Sequence, residues 1–437
     1  MGRKMKVGFK LNSLKCLFTC IVAVGLLSII AVNTLLKYQQ PTVIAANIRT
    51  ITSRRKLWPF SFLRDQLEEA PAVSLTTNTA TTTAARTTMV SLETEEKCRE
   101  TSNFVFIKTH KTGSTTLRSL TSRFGYFRNL SFLLGKGSII GHLNSLSLNM
   151  KKNAYNFLPP IGVKVGDFSN YRNYNISNIH VQFDEAKMRK LMYPSPDLKY
   201  ITIFREPVDQ WLSNFQYYKG YKKAGLTLSN MSQQLLPFLK SEKAATLGFN
   251  KQLRDVGIGS KILNNGSISS LNASIAKLDN LLSLALITEY FDESLLVMKK
   301  LFCWSFRDIL YVKKRAQPNP IVISDETRQE LRRRSWADVV LYEHFLSVLW
   351  QRVEEYGPNF QRDLQTFRNL LNDTLTTCVA KSVAEVSNDR YLYIETYPSS
   401  NSSAFCWAFV NSRFHMDVEM VRRQGHPSDV RWKKLDY

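Results

Sequence analysis

Cysteine is scarce. Six Cys in 437 residues are too few to build a disulfide-held scaffold. Acid is in short supply as well: 36 Asp+Glu against 59 Lys+Arg leave a formal net charge of +23. Only one long apolar run occurs, at residues 16–36, which excludes a multispanning membrane protein. The sequence has no Gly-x4-Gly-Lys-Ser/Thr loop, no Asp-x-Asp, no Cys/His cluster with zinc spacing and no internal repeat. Those gaps remove a Walker-type nucleotide site and a zinc centre, together with the metal motif of many glycosyltransferases. What is present is ordinary for a globular chain. Hydrophobic residues at 44% and charged residues at 22% exclude a wholly disordered or collagen-like protein. The length suits one large domain, or two small ones, with appendages. The basic excess points to an anionic partner: nucleic acid, a phosphate- or sulfate-bearing cofactor, or a membrane surface. A solvated basic surface would give the same count.

Residues 1–15 carry Arg3, Lys4, Lys6, Lys10 and Lys15 and no acid, and Cys16 to Leu36 carries no charge at all. A helix of that length, at about 1.5 Å per residue, spans roughly 30 Å, the thickness of a bilayer core. The cationic flank should stay cytoplasmic and the rest should enter a lumen. A cleaved signal peptide, whose apolar core is about 7–15 residues, fits less well. Seven Asn-x-Ser/Thr sequons follow the run and none precedes it: Asn129, Asn175, Asn230, Asn265, Asn272, Asn372 and Asn401. They fit a glycosylated lumenal domain. In an oxidising lumen Cys98, Cys303, Cys378 and Cys406 could pair, with three full pairings open. Residues 37–97 read as a stem, because Val73 to Val90 is Thr- and Ala-rich, lacks aromatics and has one charge, Arg86. Such a stretch buries too little apolar surface to offset its ordering entropy. The division is therefore a cytoplasmic tail (1–15), a transmembrane signal anchor (16–36), a lumenal stem (37–97) and a folded domain (98–437).

Within that domain Phe104-Val105-Phe106-Ile107, Tyr200 to Phe204 and Leu284 to Thr288 are short β-prone apolar runs. Each is followed by a polar turn and a helical pattern: Ser114 to Phe124, the segment after Pro207, and Asp292 to Phe302. That repetition predicts an α/β fold with a central parallel sheet flanked by helices, and strand carboxyl ends that line the ligand crevice. Residues 324–356 predict two helices with Ser324 as a cap. From about Asn388 onward the pattern is weak.

Two motifs sit at those strand ends. Lys108-Thr109-His110-Lys111-Thr112-Gly113-Ser114-Thr115-Thr116 joins the first strand to the first helix. Backbone N–H groups at a helix amino end attract anions, Gly113 permits close approach, hydroxyls add donors and the two Lys add charge. A helix cap with solvated lysines is the plainer account. Arg205-Glu206-Pro207 follows the second strand, with Ser213 eight positions past Arg205. An Arg can grip a phosphate with two parallel hydrogen bonds, Pro207 can start a helix, and Ser213 then lies about two turns in. A surface ion pair would explain Arg-Glu-Pro alone. Two anion sites at neighbouring strand ends suit a nucleotide with phosphates at both ends.

These motifs resemble those of sulfotransferases that use 3′-phosphoadenosine 5′-phosphosulfate. The string from Phe106 to Gly125, with Tyr200 to Pro207, Glu289-Tyr290-Phe291-Asp292-Glu293-Ser294-Leu295 and Leu301-Phe302-Cys303-Trp304, is similar to the galactose-3-O-sulfotransferase family over roughly residues 103–380. Glu206 stands where that family usually has Asp, and Thr115 where it usually has Ser. The resemblance implies a P-loop-like sulfotransferase fold, a Golgi-membrane location and transfer of a sulfuryl group to a galactose 3-hydroxyl on a glycolipid or glycoprotein. It implies a small nucleotide rather than nucleic acid as the anionic partner, and no metal. Lys108 to Thr116 would hold the 5′-phosphosulfate, and Arg205 with Ser213 the 3′-phosphate.

A base must take the hydroxyl proton, and His is suited by its ordinary pKa. His110 lies inside the loop and is the first candidate. His180, in Asn178-Ile179-His180-Val181-Gln182-Phe183, a short run that resembles a family segment also carrying a His, is the second. His142, His344, His415 and His426 read as structural. Lys313-Lys314-Arg315 and Arg332-Arg333-Arg334 read as solvated charged faces. Two other functions share parts of this layout: a lumenal glycosyltransferase, and a glycan-binding protein that keeps the fold without the chemistry.

Overall fold

The computed structural model describes residues 98–135, 148–149, 154–259, 267–317, 320–386, 392–400, 402–411 and 413–424. The tail, anchor and stem expected over 1–97 lie outside the described residues, as do His142, His426, Asn265 and Asn401. Among the described residues no helix is long and apolar enough to cross a membrane.

Three expected strands form, and a fourth joins them. The strands are β1 (Phe104–Ile107), β4 (Ile176–Ser177), β5 (Lys199–Phe204) and β6 (Leu284–Ile287), in the order β4-β1-β5-β6. All neighbours are parallel. Two small antiparallel pairs complete the strands: β2 (Leu148–Asn149) with β3 (Ala154–Tyr155), and β7 (Val379–Val386) with β8 (Leu392–Pro398). The centre of the sheet is covered on both faces, so β1 and β6 are apolar throughout and fully buried, as parallel strands require. Along β1 the register runs from Phe104 opposite Lys199 to Ile107 opposite Thr202. The chain leaves β1 toward β4 on one side and leaves β5 toward β6 on the other. The loops therefore part in opposite directions at the β1/β5 boundary, and such a switch point is where parallel sheets of this kind hold a ligand crevice, outside the strand carboxyl ends.

Helix α1 (Ser114–Phe127) follows β1 and runs three residues beyond its expected end. Gly125 explains the continuation: a Cβ there would fall 2.4 Å from the Phe132 ring and 2.6 Å from Ile176, so the helix can lie against β4 only without one. Helix α2 is Glu185–Leu191, and α3 (Pro207–Tyr217) follows β5. Next come α4 (Met231–Lys240), the short α5 (Lys251–Asp255) and α6 (Ile268–Leu281). Helix α7 (Phe291–Phe302) follows β6, and the two helices expected over 324–356 are α8 (Asp325–Arg334) and α9 (Trp336–Tyr356). Ser324 does cap α8, accepting from Thr327 N–H. The described residues end with α10 (Phe360–Cys378), the β7–β8 hairpin, α11 (Ala404–Val410) and α12 (Arg413–Arg423).

The carboxyl-terminal part, unplaced by sequence pattern, packs against α1. Arg118 in α1 makes a fully buried bidentate pair with Asp417 at 3.0 and 2.6 Å. The Gln424 side chain accepts from Phe132 N–H and donates to the Phe132 and Pro159 carbonyls. Of the three open pairings the structure has Cys98–Cys303 and Cys378–Cys406. The second ties α11 to the end of α10. Because α1 carries the Lys108–Thr116 loop at its start, this packing also braces the crevice. Asp417→Ala leaves a buried guanidinium uncompensated, so unfolding stability should fall by about 3–5 kcal/mol. Urea titration checks this, and a loss below about 0.5 kcal/mol would make the pair incidental.

Candidate active site

The crevice is built by three strand ends. The loop after β1 begins with two buried side chains that face inward. Lys108 Nζ donates to Ser114 Oγ at 2.9 Å, and Thr109 Oγ1 donates to the Ile203 carbonyl at 2.5 Å. Ser114 Oγ donates back to the Thr109 carbonyl at 2.6 Å, and Thr109 and Thr112 hydroxyls lie 2.7 Å apart. Thr116 Oγ1 accepts from Lys314 N–H at 3.0 Å. These hydroxyls close the loop on itself, so what they offer a ligand is the shape of the backbone. Lys111 and Gly113 both have left-handed backbones, φ 61° and 74°. Gly113 caps α1 without any side-chain hydrogen bond to the first-turn N–H groups, and Thr115 and Thr116 complete that turn. The helix amino end with its partial positive charge therefore faces the crevice.

The second and third strand ends lock onto this loop. Arg205 Nη1 donates to the Lys111 carbonyl at 3.3 Å. Gln210, one turn into α3, donates to the His110 carbonyl at 2.8 Å. Thr288, immediately after β6, has its hydroxyl 2.7 Å from the Thr112 carbonyl and 2.9 Å from that of Phe204. Lys111 Nζ sits 4.0 Å above the Tyr217 ring. Gln210 and Tyr217 mark the face of α3 turned to the loop, and Ser213, at i+3 from one and i−4 from the other, shares that face.

The two candidate bases are brought together. The His110 and His180 rings stack with centroids 4.3 Å apart and an interplanar angle of 25°. His180 lies three residues past β4, at the same edge of the sheet, and its Nδ1 is 3.1 Å from the Lys108 carbonyl. His110 Nδ1 is 2.8 Å from Asp255 Oδ2, which also accepts from His110 N–H at 2.7 Å. His344 is elsewhere, paired with Asp279.

Charge in the crevice is mainly cationic. Burial first, then the neighbouring Arg205 and Arg315, lower the pKa of Lys111 from 10.5 to about 7. Arg315, whose guanidinium lies 5.4 Å from the Tyr393 ring centroid, is exposed, as is Lys313, in keeping with the solvated reading of that run; Lys314 alone departs from it. Lys314 is buried against the Val410 carbonyl, and burial lowers its pKa to about 8. The other run is corrected in part: Arg332 pairs with Glu206 and Glu343, and Arg333 and Arg334 with Glu330. Glu206 accepts from Val208 and Asp209 N–H and so caps α3. Glu289 keeps an exposed edge, accepts from Glu206 N–H and Tyr342, and has its pKa raised chiefly by desolvation. Among the described residues no cluster of three or more His, Cys, Asp or Glu gathers as a metal site.

Asp255, Gln210, Gln252 and Thr288 carry no signal that the sequence reading used. Thr288 was accessible to the strand-end rule that selected Arg205. Asp255 lies 145 positions from His110 in a segment with no motif.

The sequence matches the galactose-3-O-sulfotransferase family over residues 53–398. The chain belongs to that family. Galactose-3-O-sulfotransferase 3 of Mus musculus is 29% identical over 285 residues, covering 62% of this chain and 62% of its own. Galactosylceramide sulfotransferase of Bos taurus is 30% identical over 274 residues, 60% of each chain. Galactose-3-O-sulfotransferase 2 of Homo sapiens is 29% identical over 291 residues, 63% of this chain and 68% of its own. The aligned part thus spans about three fifths of the first two relatives. The galactose-3-O-sulfotransferase match starts inside the segment read as a stem and extends through β8, beyond the 380 boundary seen from motifs alone.

Proposed function

We propose that the protein is a Golgi-membrane sulfotransferase that moves the sulfuryl group of 3′-phosphoadenosine 5′-phosphosulfate to the 3-hydroxyl of a galactose on a glycolipid or glycoprotein glycan. Its domain would have the P-loop-like sulfotransferase fold, held in the lumen by the 16–36 anchor and the 37–97 stem. The observation that carries this reading is the meeting of two anion-seeking strand ends, Arg205 on the Lys111 carbonyl, with a stacked His pair beside them. The site fits an anion beside Lys111, because burial and two neighbouring guanidinium groups all disfavour the Lys111 charge and an anion would restore it. When bound, that co-substrate supplies an activated sulfuryl group with a phosphate leaving group.

The chain's own residues would do the rest. Lys108, Lys111 and the first-turn N–H groups of α1, through Thr112 to Thr116, hold the phosphosulfate end and stabilise charge on the bridging oxygen. Arg205 and Ser213 hold the 3′-phosphate. His110 accepts the acceptor's hydroxyl proton at Nε2, and His180 orients the sugar or sulfate beside it. Arg205→Ala should weaken adenosine 3′,5′-bisphosphate by about 1.5–3 kcal/mol, roughly ten- to hundredfold. Equal affinity in calorimetry would remove the 3′-phosphate assignment.

The test of the function is transfer of labelled sulfate to galactosylceramide, lactose and type 1 and type 2 disaccharides, with and without EDTA. We expect transfer to at least one galactose acceptor, unchanged by chelation, since side-chain cations and a helix terminus stabilise the developing charge. Absence of transfer to all four would leave the glycan-binding account standing.

A further inference from the structure

We infer that Asp255 is a positioning residue for transfer: it holds His110 as the Nδ1–H tautomer and faces the positive charge that this ring gains on taking the acceptor's proton. The inference rests on the transferase reading above and adds to it a division of labour between the two stacked histidines.

A carboxylate oxygen can only accept a hydrogen bond. With Asp255 Oδ2 at 2.8 Å, His110 Nδ1 must therefore carry its hydrogen, which leaves Nε2 as the basic nitrogen of the neutral ring. His180 is fixed in the same tautomer for a different reason, since its Nδ1 faces the Lys108 carbonyl at 3.1 Å. The rings thus match in tautomer but differ in what stands behind them. His110 is backed by an anion and His180 by a neutral oxygen. In the transfer step the carboxylate favours His110 as the ring that takes the proton, and the stacked His180, 4.3 Å away between centroids, is left to orient a hydroxyl or a sulfuryl oxygen.

In the step itself the acceptor oxygen bonds to sulfur. The bridging S–O bond breaks with its electron pair passing to the phosphate, and the hydroxyl proton ends on His110 Nε2. Asp255 neither gains nor loses a proton.

The position of Asp255 is tightly specified. It closes α5, whose amino end is clamped by α9. Asp338 accepts from Gln252 and Leu253 N–H at 3.1 and 2.8 Å. Asn250 Oδ1 accepts in return from Ala337 and Asp338 N–H, both at 3.1 Å. Lys251 Nζ holds the second Asp255 oxygen at 3.2 Å. One turn back, the Gln252 amide pairs with both the N–H and the carbonyl of Arg205 at 2.9 Å. A single short element therefore sets the base and the proposed phosphate-gripping arm against each other.

The bond to His110 N–H alone would make Asp255 a loop fastener, and Asp255→Asn separates the two roles. Asn keeps an acceptor for that N–H but removes the charge and no longer dictates the ring tautomer. We expect kcat on the best galactose acceptor to fall about 10²–10⁴-fold, as for Asp-to-Asn changes behind a catalytic histidine. Acceptor KM and bisphosphate Kd should stay within about threefold. In the full chain labelled with ¹⁵N-histidine, His110 should show the Nδ1–H tautomer in the native protein and lose it in D255N. Near-native kcat in D255N, a parallel fall of kcat and bisphosphate affinity, or an Nε2–H His110 in the native protein would each overturn the inference. The tautomer is read without turnover. A native protein that transfers no sulfate therefore defeats the functional reading while the spectrum still decides the Asp255–His110 coupling.

Discussion

Replacing Lys111 by Ala is expected to lower kcat by at least about 10²–10³-fold, the usual cost of removing one donor from a developing oxyanion, with the fold intact. Lys111 already has φ 61°, and Ala meets the same left-handed backbone cost as Lys. The native ammonium contributes little to the empty fold, because burial, Arg205 and Arg315 together lower its pKa to about 7. Its removal should leave the melting temperature unchanged or slightly raised. The same lowering gives a signed pH effect. In the free protein Lys111 loses its proton as pH rises through about 7, and an anion in the crevice favours the protonated form. Binding of adenosine 3′,5′-bisphosphate therefore takes up a proton above that pH. Native affinity should weaken by up to about tenfold per pH unit from pH 7.5 to 9, and the Lys111→Ala slope should be flatter. Turnover within a few fold of native, or an unchanged slope, would take Lys111 out of the mechanism.

Legibility of the fold followed the range of the interactions. β1, β5 and β6 are short apolar runs ended by polar turns, a local pattern, and the parallel-sheet rule then places Lys108–Thr116 and Arg205 side by side. β4 has two residues, too few to show a period, so His180 was found by resemblance and its place at the sheet edge came only with the structure. The dock of α12 on α1 includes an ion pair 299 positions apart, and Asp255 meets His110 across 145 positions. Neither leaves a local trace. Lys314 shows how charge runs mislead: three consecutive cations looked like a solvated face, and Lys313 and Arg315 are exposed, but Lys314 between them is buried against the Val410 carbonyl.

His110→Asn should reduce kcat by about 10²–10⁴-fold while bisphosphate affinity stays near native. Asn can hold a hydrogen bond where the ring stood but cannot accept a hydroxyl proton near neutral pH. Affinity is spared because the loop is closed by contacts His110 does not supply through its ring: Lys108 to Ser114, Thr109 to Ile203 and Gln210 to the His110 carbonyl. The same change at His180 should act mainly on acceptor KM. The His180 ring is backed by a carbonyl rather than a carboxylate, and its proposed task is orientation. The rings are in contact, so the two effects should not add, and the double variant should lose little beyond His110→Asn. Measuring kcat, acceptor KM and bisphosphate Kd for both single variants and the double variant decides the assignment. An inactive His180→Asn beside a His110→Asn slowed only a few fold would exchange the roles. Ordinary turnover in both would move the search to the acidic groups of the crevice. Glu289 would then come before Glu206, because desolvation raises the Glu289 pKa, whereas the Glu206 carboxylate is already engaged by two helix N–H groups and by Arg328 and Arg332.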